Sequence, residues 1–547
     1  MSMSNASSLK PATLLDALFT NAPEDAYTSS VAESHRKKLG QFFTPLPVAD
    51  FMAKWVVGNP TCRTILDPAV GLGGFFRSIL KLEPQNSYEF SGYDIDPTIF
   101  GRVKSLFTAF NYINFELKNK DYLFNDWLRK YDGIICNPPY FKFQDYKNRA
   151  ASLVEFQTRL GMNLSGFTNI YTMFMLKSIS QLSPDGRAAY LVPSEFLNAD
   201  YGTTVKKYLL ENGTLRYVIL FNPNENIFSN ALTTSCILLF ANDNQSKLVT
   251  FVDARKVEDL PSLSERLAVY PDEKINGKAI PHSDLNPNLK WRAYYEKQNG
   301  AKFKDLVPLS SYGKVVRGIA TGDNDYFTFD QKKKTEFGIK DKFLLPCLTR
   351  AIHADCSFFT QKRFDDLRLK GDRIFLLNAA DLTDESLKRY IEMGEKLEVN
   401  KRYLTRHRTP WHSIEHRPPA PILVTVFNRT GLRFVRNEAN IRSLTSFHAF
   451  YPSLFALTKI NLLMAYFLTD LSREILNDNR REYGGGLNKF EPNDLNKARV
   501  INLEVINPNA DRLIQEAYES YRTSVLRSQP DADALEKLNS IFSAIVK

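Results

Sequence analysis

A glycine-rich turn held between a strand and a helix constrains this chain more than any other stretch. Thr64-Ile65-Leu66 reads as a short apolar strand, Asp67-Pro68-Ala69-Val70-Gly71-Leu72-Gly73-Gly74-Phe75 as the turn, and Phe76, Ile79 and Leu80 resume at helical spacing. Glycines let the backbone approach a ligand, and the following helix start offers N–H groups with no partner in the helix. The spacing is not the G-x-G-x-x-G of dinucleotide enzymes, and no Gly-Lys-Ser/Thr is present for a triphosphate. A ligand other than NAD or ATP is implied.

The following strands end in residues of complementary chemistry. The run from Tyr88 to Tyr93 ends in Asp94-Ile95-Asp96-Pro97, placing an acid where a ribose presents its two hydroxyls. A strand around Phe115 to Leu117 precedes Asp121-Tyr122, a carboxylate and a ring suited to the amino group and face of an adenine. The apolar run Tyr131 to Cys136 then ends in Asn137-Pro138-Pro139-Tyr140, which combines an amide, a rigid carbonyl and an aromatic ring and suits a flat ring held by its amino group. Each acid alone is ordinarily a turn or a cap. In series, at the ends of successive strands, they mark the edge where open α/β sheets bind ligands.

Three more strands, Arg187 to Pro193, Tyr217 to Phe221 and Ser235 to Phe240, complete an expected seven-stranded sheet wound with helices. The loop Asn226 to Thr233 between the last two carries Phe228. The aromatic stripe from Tyr171 to Leu182 reads as core, and the helix from Pro47 to Val57 follows Gly40-Gln41-Phe42-Phe43-Thr44-Pro45.

At 547 residues the chain is too long for one core. Its texture turns polar near Ala241, so the expected division is a catalytic domain at 1–245, a linker or extension at 246–300 and a second domain at 301–547. The second half holds Val316-Arg317-Gly318-Ile319-Ala320-Thr321-Gly322, a glycine-broken strand or turn. It also holds a basic stretch from Lys401 to Arg442 in which Arg402, Arg406, Arg408, Arg417, Arg429, Arg433, Arg436 and Arg442 face only Glu415 and Glu438, among Tyr403, His407, Trp411 and His412. Clustered arginines among aromatics suit phosphates and base edges, and the net charge of +10 favours a polyanionic partner. Ala439 to Tyr451 reads as loop. No apolar run reaches membrane-spanning length, and Met1 to Lys10 lacks an apolar signal core, so a cytoplasmic protein is expected. The five scattered cysteines form no C-x-x-C pair and no histidines cluster at metal spacing, so no metal site is expected.

Gln41-Phe42-Phe43-Thr44-Pro45, Asp67 to Phe75, Asp94-Ile95-Asp96-Pro97, Asp121-Tyr122 and Asn137-Pro138-Pro139-Tyr140 occur in the order found in gamma-class adenine-N6 DNA methyltransferases of bacterial restriction-modification systems, which this chain resembles. The resemblance continues through Phe228 to Phe240, and Val316 to Gly322 is similar to the opening of that class's target-recognition domain. It implies a Rossmann-like S-adenosyl-L-methionine-dependent α/β domain followed by a mixed α+β recognition domain. By resemblance, Thr44, Asp67, Ala69 and Gly71 contact S-adenosyl-L-methionine, Asp94 its ribose and Asp121 its adenine, on which Pro139 packs; Tyr122 belongs to the same pocket. Asn137 and the Pro138 carbonyl would accept the two N–H groups of the target amine, with Tyr140 stacked on a flipped base and Phe228 covering another face. Arg317, Arg406, Arg408 and Trp411 are the candidate DNA contacts, double-stranded DNA the expected partner, and a monomer the expected state.

The rival readings are a methyltransferase that uses the same tetrapeptide on RNA or on a protein glutamine, and a non-catalytic DNA-binding specificity protein. A bifunctional restriction enzyme finds no room for a nuclease in the short N-terminal stretch, so cleavage is expected from a separate cognate endonuclease.

Overall fold

The computed structural model describes residues 19–84, 87–109, 114–140, 146–164, 168–221, 235–379, 382–428, 431–483 and 487–546. Phe228 and Arg429 lie outside them. The chain divides into two compact units, Met1–Lys297 with Glu482–Gly486, and Gln298–Arg481 with Leu487–Lys547. Among the described residues no helix is long and apolar enough to cross a membrane.

The first unit is built on a sheet of β1 (Thr64–Asp67), β2 (Glu89–Tyr93), β3 (Phe115–Lys118), β4 (Tyr131–Cys136), β5 (Leu182–Pro193), β6 (Leu215–Phe221), β7 (Ser235–Ala241), β8 (Leu248–Arg255) and β9 (Lys278–Pro281). Their order is β3-β2-β1-β4-β5-β7-β6-β8-β9. The five strands from β3 to β5 are mutually parallel, and β7 runs antiparallel to both neighbours. Parallel strands are buried on both faces: Ile65, Ile135 and Leu191 enter one apolar cluster, while their neighbours Leu66, Ile134 and Val192 enter the other.

All seven expected strands form, and among the described residues the count is corrected to nine. The stretch 246–300, expected to be a linker or extension, supplies β8 and β9. β8 pairs in parallel with β6, burying Val249 and Phe251 on one face and Val252 and Ala254 on the other. Thr250, Asp253 and Arg255 break up its apolar pattern in the sequence, which hides a strand whose burial comes from its neighbours.

Helices cover both faces: α1 (Ala22–Ser30), α2 (Glu33–Leu39), α3 (Leu46–Val57), α4 (Gly74–Leu82), α5 (Pro97–Ala109), α6 (Arg149–Leu160), α7 (Ile170–Ser180), α8 (Gly202–Asn212) and α9 (Leu260–Leu267). α3 begins behind Pro45 with a proline inside its first turn, where a missing N–H costs no helical bond. Every described side chain from Ile170 to Ile179 is buried, so the aromatic stripe of α7 is core.

The second unit is mixed α+β. A five-stranded sheet is ordered Gly313–Arg317, Phe447–Pro452, Ile422–Thr425, Phe434–Asn437, Phe358–Phe359. Phe447–Pro452, inside the stretch read as loop, is flanked on both edges by antiparallel partners. The helices Pro508–Leu526 and Ala532–Val546 share an apolar cluster with Ile460–Leu468.

Candidate active site

A cleft of about 990 Å³, counted with its mouth, lies at the carboxyl ends of β1, β2 and β4, the position at which open α/β sheets hold ligands. The turn after β1 makes its floor. Gly71 and Gly73 have φ of +51° and +73°, in the left-handed region where a side chain is strained. A Cβ on Gly73 would also come within 2.5 Å of the Phe107 ring, so this turn admits no larger residue.

Asn137 lies at the end of β4 and lines the cleft. Its Nδ2 donates to the Phe42 carbonyl at 2.7 Å and to Thr44 Oγ1 at 3.0 Å. Two acceptors on one atom fix which end of the amide is nitrogen. Its Oδ1 is buried and has no hydrogen-bond partner among the described residues. The side chain is therefore held as a rigid acceptor. Pro139 lines the same cleft. Tyr140 is half-buried, with its hydroxyl donating to the Leu191 carbonyl at 2.7 Å and its ring centroid 5.9 Å from that of Phe42 at an interplanar angle of 25°. Pro138 is buried behind them.

The acids divide by what already occupies them. Asp67 is fully buried beneath the turn; Oδ1 accepts the Ala69 amide at 3.0 Å, and Oδ2 has no partner among the described residues. Burial pushes its carboxyl up to about 8, against the Ala69 bond and aided by the negative charge of Asp94. Asp67 thus shapes the turn, while Ala69 and Gly71 line the cleft. Asp94 also lines it, one oxygen accepting the Asp96 amide at 2.8 Å, and burial pushes it up to about 7. Asp121 caps the turn Tyr122–Phe124 by accepting the Leu123 amide at 3.1 Å; its other oxygen accepts from the Tyr146 hydroxyl. One of its lone pairs is thus committed to a tyrosine. The Tyr122 ring belongs to the core: it is 1% exposed, and the buried Lys177 ammonium lies 3.8 Å from its centroid. Tyr122 nonetheless lines the cleft beside Asp121.

Asp96 has a structural task that the sequence did not disclose. It is 2% exposed and accepts Gln41 Nε2 at 2.7 Å, His35 Nε2 at 2.9 Å and the Tyr27 hydroxyl at 3.2 Å. Burial opposes its charge, yet these bonds and the Thr98 amide hold the carboxyl below its ordinary range. They tie α1, α2 and the Gln41–Thr44 segment to the end of β2. Two acids spaced two apart ahead of a proline were the available signal; nothing in the sequence linked them to Tyr27 or His35. Glu24 and Tyr146, which also line the cleft, were missed altogether.

Comparison with known proteins bears directly on this cleft. Residues 24–275 match the N-6 DNA Methylase family, and residues 295–538 match the family described as Type II methyltransferase M.Eco57I, C-terminal domain. The chain is 48% identical over 528 residues to the type II methyltransferase M.AccI of Acinetobacter calcoaceticus, covering 96% of this chain and 97% of that one. The chain belongs to the adenine-N6 type II DNA methyltransferases. A more distant relative, the type II methyltransferase M.XamI of Xanthomonas campestris pv. amaranthicola, is 24% identical over 482 residues, covering 85% of this chain and 86% of that one. Among solved structures, the type IIL restriction-modification enzyme MmeI in complex with DNA shares the fold at 14% identity and a TM-score of 0.53, over 98% of this chain and 75% of that one. The DrdV–DNA complex does so at 11% identity and a TM-score of 0.58, over 94% and 60%.

In the second unit of the methyltransferase the basic stretch separates into two kinds of arginine. Arg408 donates to the carbonyls of Ala320, Thr321 (2.8 Å) and Ser413 (3.1 Å), so it braces the loop after Gly313–Arg317. Trp411 packs against Tyr326 and Phe327, with Nε1 donating to Glu395 at 3.1 Å. Both residues are thus partly exposed and braced by neighbouring groups of their own unit. Arg406 is exposed over the Tyr403 ring at 5.3 Å. Arg317 is half-exposed and pairs with Glu415 at 3.1 Å.

Proposed function

We propose that the methyltransferase transfers the methyl group of S-adenosyl-L-methionine to N6 of an adenine flipped out of double-stranded DNA, the adenine-specific activity classed as EC 2.1.1.72. The observation that carries this reading is the Asn137 amide, whose nitrogen is held by Phe42 and Thr44 and whose buried Oδ1 faces no protein donor among the described residues.

The residues present fit the cofactor. The left-handed Gly71 and Gly73 form a cradle next to Ala69, and Asp94 keeps an acceptor for ribose hydroxyls. Asp121 would meet the adenine amine with the lone pairs that Leu123, Tyr146 and Asn148 leave open, and Pro139 supplies an apolar face. S-Adenosyl-L-methionine supplies a sulfonium methyl already activated for displacement. The protein's task is to make N6 nucleophilic, since its lone pair is delocalised into the purine ring. Asn137 Oδ1 and the Pro138 carbonyl would accept both N6 hydrogens and oppose the positive charge that develops on nitrogen as its bond to carbon forms. The surplus proton then leaves to solvent. Extrusion of the base costs a few kcal/mol, and stacking on Tyr140 offsets about 1 to 3 kcal/mol of that by analogy with single-strand binders. Phe228, outside the described residues, is the candidate for the second face.

Arg317 and Arg406 are the proposed duplex contacts in the second unit; Arg408 and Trp411 would support them from behind. We assign the working state as a monomer, with cleavage of unmodified DNA left to a separate cognate endonuclease. Methylome sequencing of DNA from cells expressing the protein tests the reading. N6-methyladenine at one sequence motif is expected, and its absence, or methylation of RNA or protein glutamine instead, would refute it.

A further inference from the structure

One acid on the cleft is left without a task by the reading above. Four carboxylates line it: Glu24, Asp94, Asp96 and Asp121. Asp94 and Asp121 serve the nucleoside, and Asp96 is taken up by Gln41, His35 and Tyr27. Glu24, in the first turn of α1, is 8% exposed. One of its oxygens accepts from Arg77 of α4, which is 1% exposed; the other, Oε2, is buried and has no partner among the described residues.

We propose that Glu24 Oε2 accepts the α-ammonium group of the aminoacyl arm of bound S-adenosyl-L-methionine. The assignment rests on the cofactor reading of the same cleft. Position supports it. Glu24 Oε1 lies 3.5 Å from where a Gly74 Cβ would stand, so the carboxyl sits at the start of α4, against the turn after β1. The sheet order β3-β2-β1 separates that turn by a whole strand from the Asp121 turn that follows β3. A nucleoside bound at Asp121 and Asp94 therefore directs its aminoacyl arm toward the turn beside Glu24. The chemistry agrees: a buried carboxylate with one oxygen on a guanidinium and the other open is satisfied by a second cation that donates hydrogen bonds. Burial pushes the Glu24 carboxyl up, although the Arg77 charge opposes this, so an arriving ammonium relieves an existing penalty.

The test is calorimetric binding of three ligands to wild type and to Glu24→Gln, whose amide oxygen can still accept from Arg77. S-Adenosyl-L-methionine and S-adenosyl-L-homocysteine both carry the ammonium; 5′-methylthioadenosine lacks the whole arm. Binding of the first two is expected to weaken about 10- to 100-fold, the loss of one charge-assisted contact. Binding of the third is expected to stay within about twofold of wild type, which also shows that the variant is folded. Equal weakening of all three would overturn the assignment and leave Glu24 as a brace between α1 and α4, and no weakening of any would overturn it too. If wild type binds none of the three, the cofactor reading itself falls and the assignment falls with it.

Discussion

Around the cleft, Asp67, Asn137 and Glu24 each hold a buried oxygen with no partner among the described residues, whereas in the basic stretch of the second unit four guanidinium groups are turned onto backbone carbonyls. Arg408 braces Ala320, Thr321 and Ser413, Arg433 reaches Ala351, Arg436 reaches Pro421 and Arg442 reaches Arg417. A buried acceptor left open costs about 1 to 3 kcal/mol, and under the proposed function a ligand closes those of Asn137 and Glu24. A guanidinium already bonded to a carbonyl has a structural task, however basic its neighbourhood. Motifs at strand ends and clusters of charge are thus different kinds of signal: the first fixes position, and the second only composition.

The contrast can be broken most forcefully at Arg408. Arg408→Ala leaves the Ala320, Thr321 and Ser413 carbonyls without their donor, so a destabilisation of about 2 to 4 kcal/mol is expected. Chemical denaturation checks it, and unchanged stability with lost DNA binding would return Arg408 to the DNA contacts.

Asp67→Asn should act in the opposite direction and depend on pH. The Asp67 carboxyl is raised from 3.8 to about 8, so between these values the folded protein holds a proton that the unfolded chain has released. Stability contributed by that protonated form is therefore lost as pH rises through the window. Asparagine keeps an acceptor for the Ala69 amide and carries no charge, so the Tm advantage of ligand-free Asp67→Asn over wild type should grow from pH 5 to pH 8. A constant difference would show that Asp67 does not titrate there. The smallest effect is expected at Arg406, exposed over Tyr403. Arg406→Ala should leave Tm unchanged and lower the salt slope of DNA affinity by about 1 if this residue meets one phosphate. An unchanged slope would remove it from the interface.

The parallel half of the sheet and the Asn137 site were legible because each rests on local order: apolar runs, each followed by a turn with its own chemistry. Asp67, Asp94, Asp121 and Asn137 all sit where the strand pattern places them. What the sequence concealed rests on long-range pairing. β8 and Phe447–Pro452 are strands by virtue of neighbours distant in the chain, and Asp96 is claimed by Tyr27, 69 residues away. Arg408 and Trp411 look like DNA contacts in composition, and their contacts to Ala320, Thr321, Ser413 and Glu395 could not be read from it. Glu24 lies in a polar run with no local pattern, so only the cleft reveals it.

The central claim is that Asn137 presents an open carbonyl oxygen to the target amine, and the most direct measurement follows tritium from labelled S-adenosyl-L-methionine to an adenine-containing duplex, alongside cofactor affinity, in wild type and Asn137→Ala. The account predicts that the variant loses transfer by at least about 100-fold, as removal of a transition-state contact does, while its cofactor affinity changes little. Transfer by Asn137→Ala at the wild-type rate would contradict it.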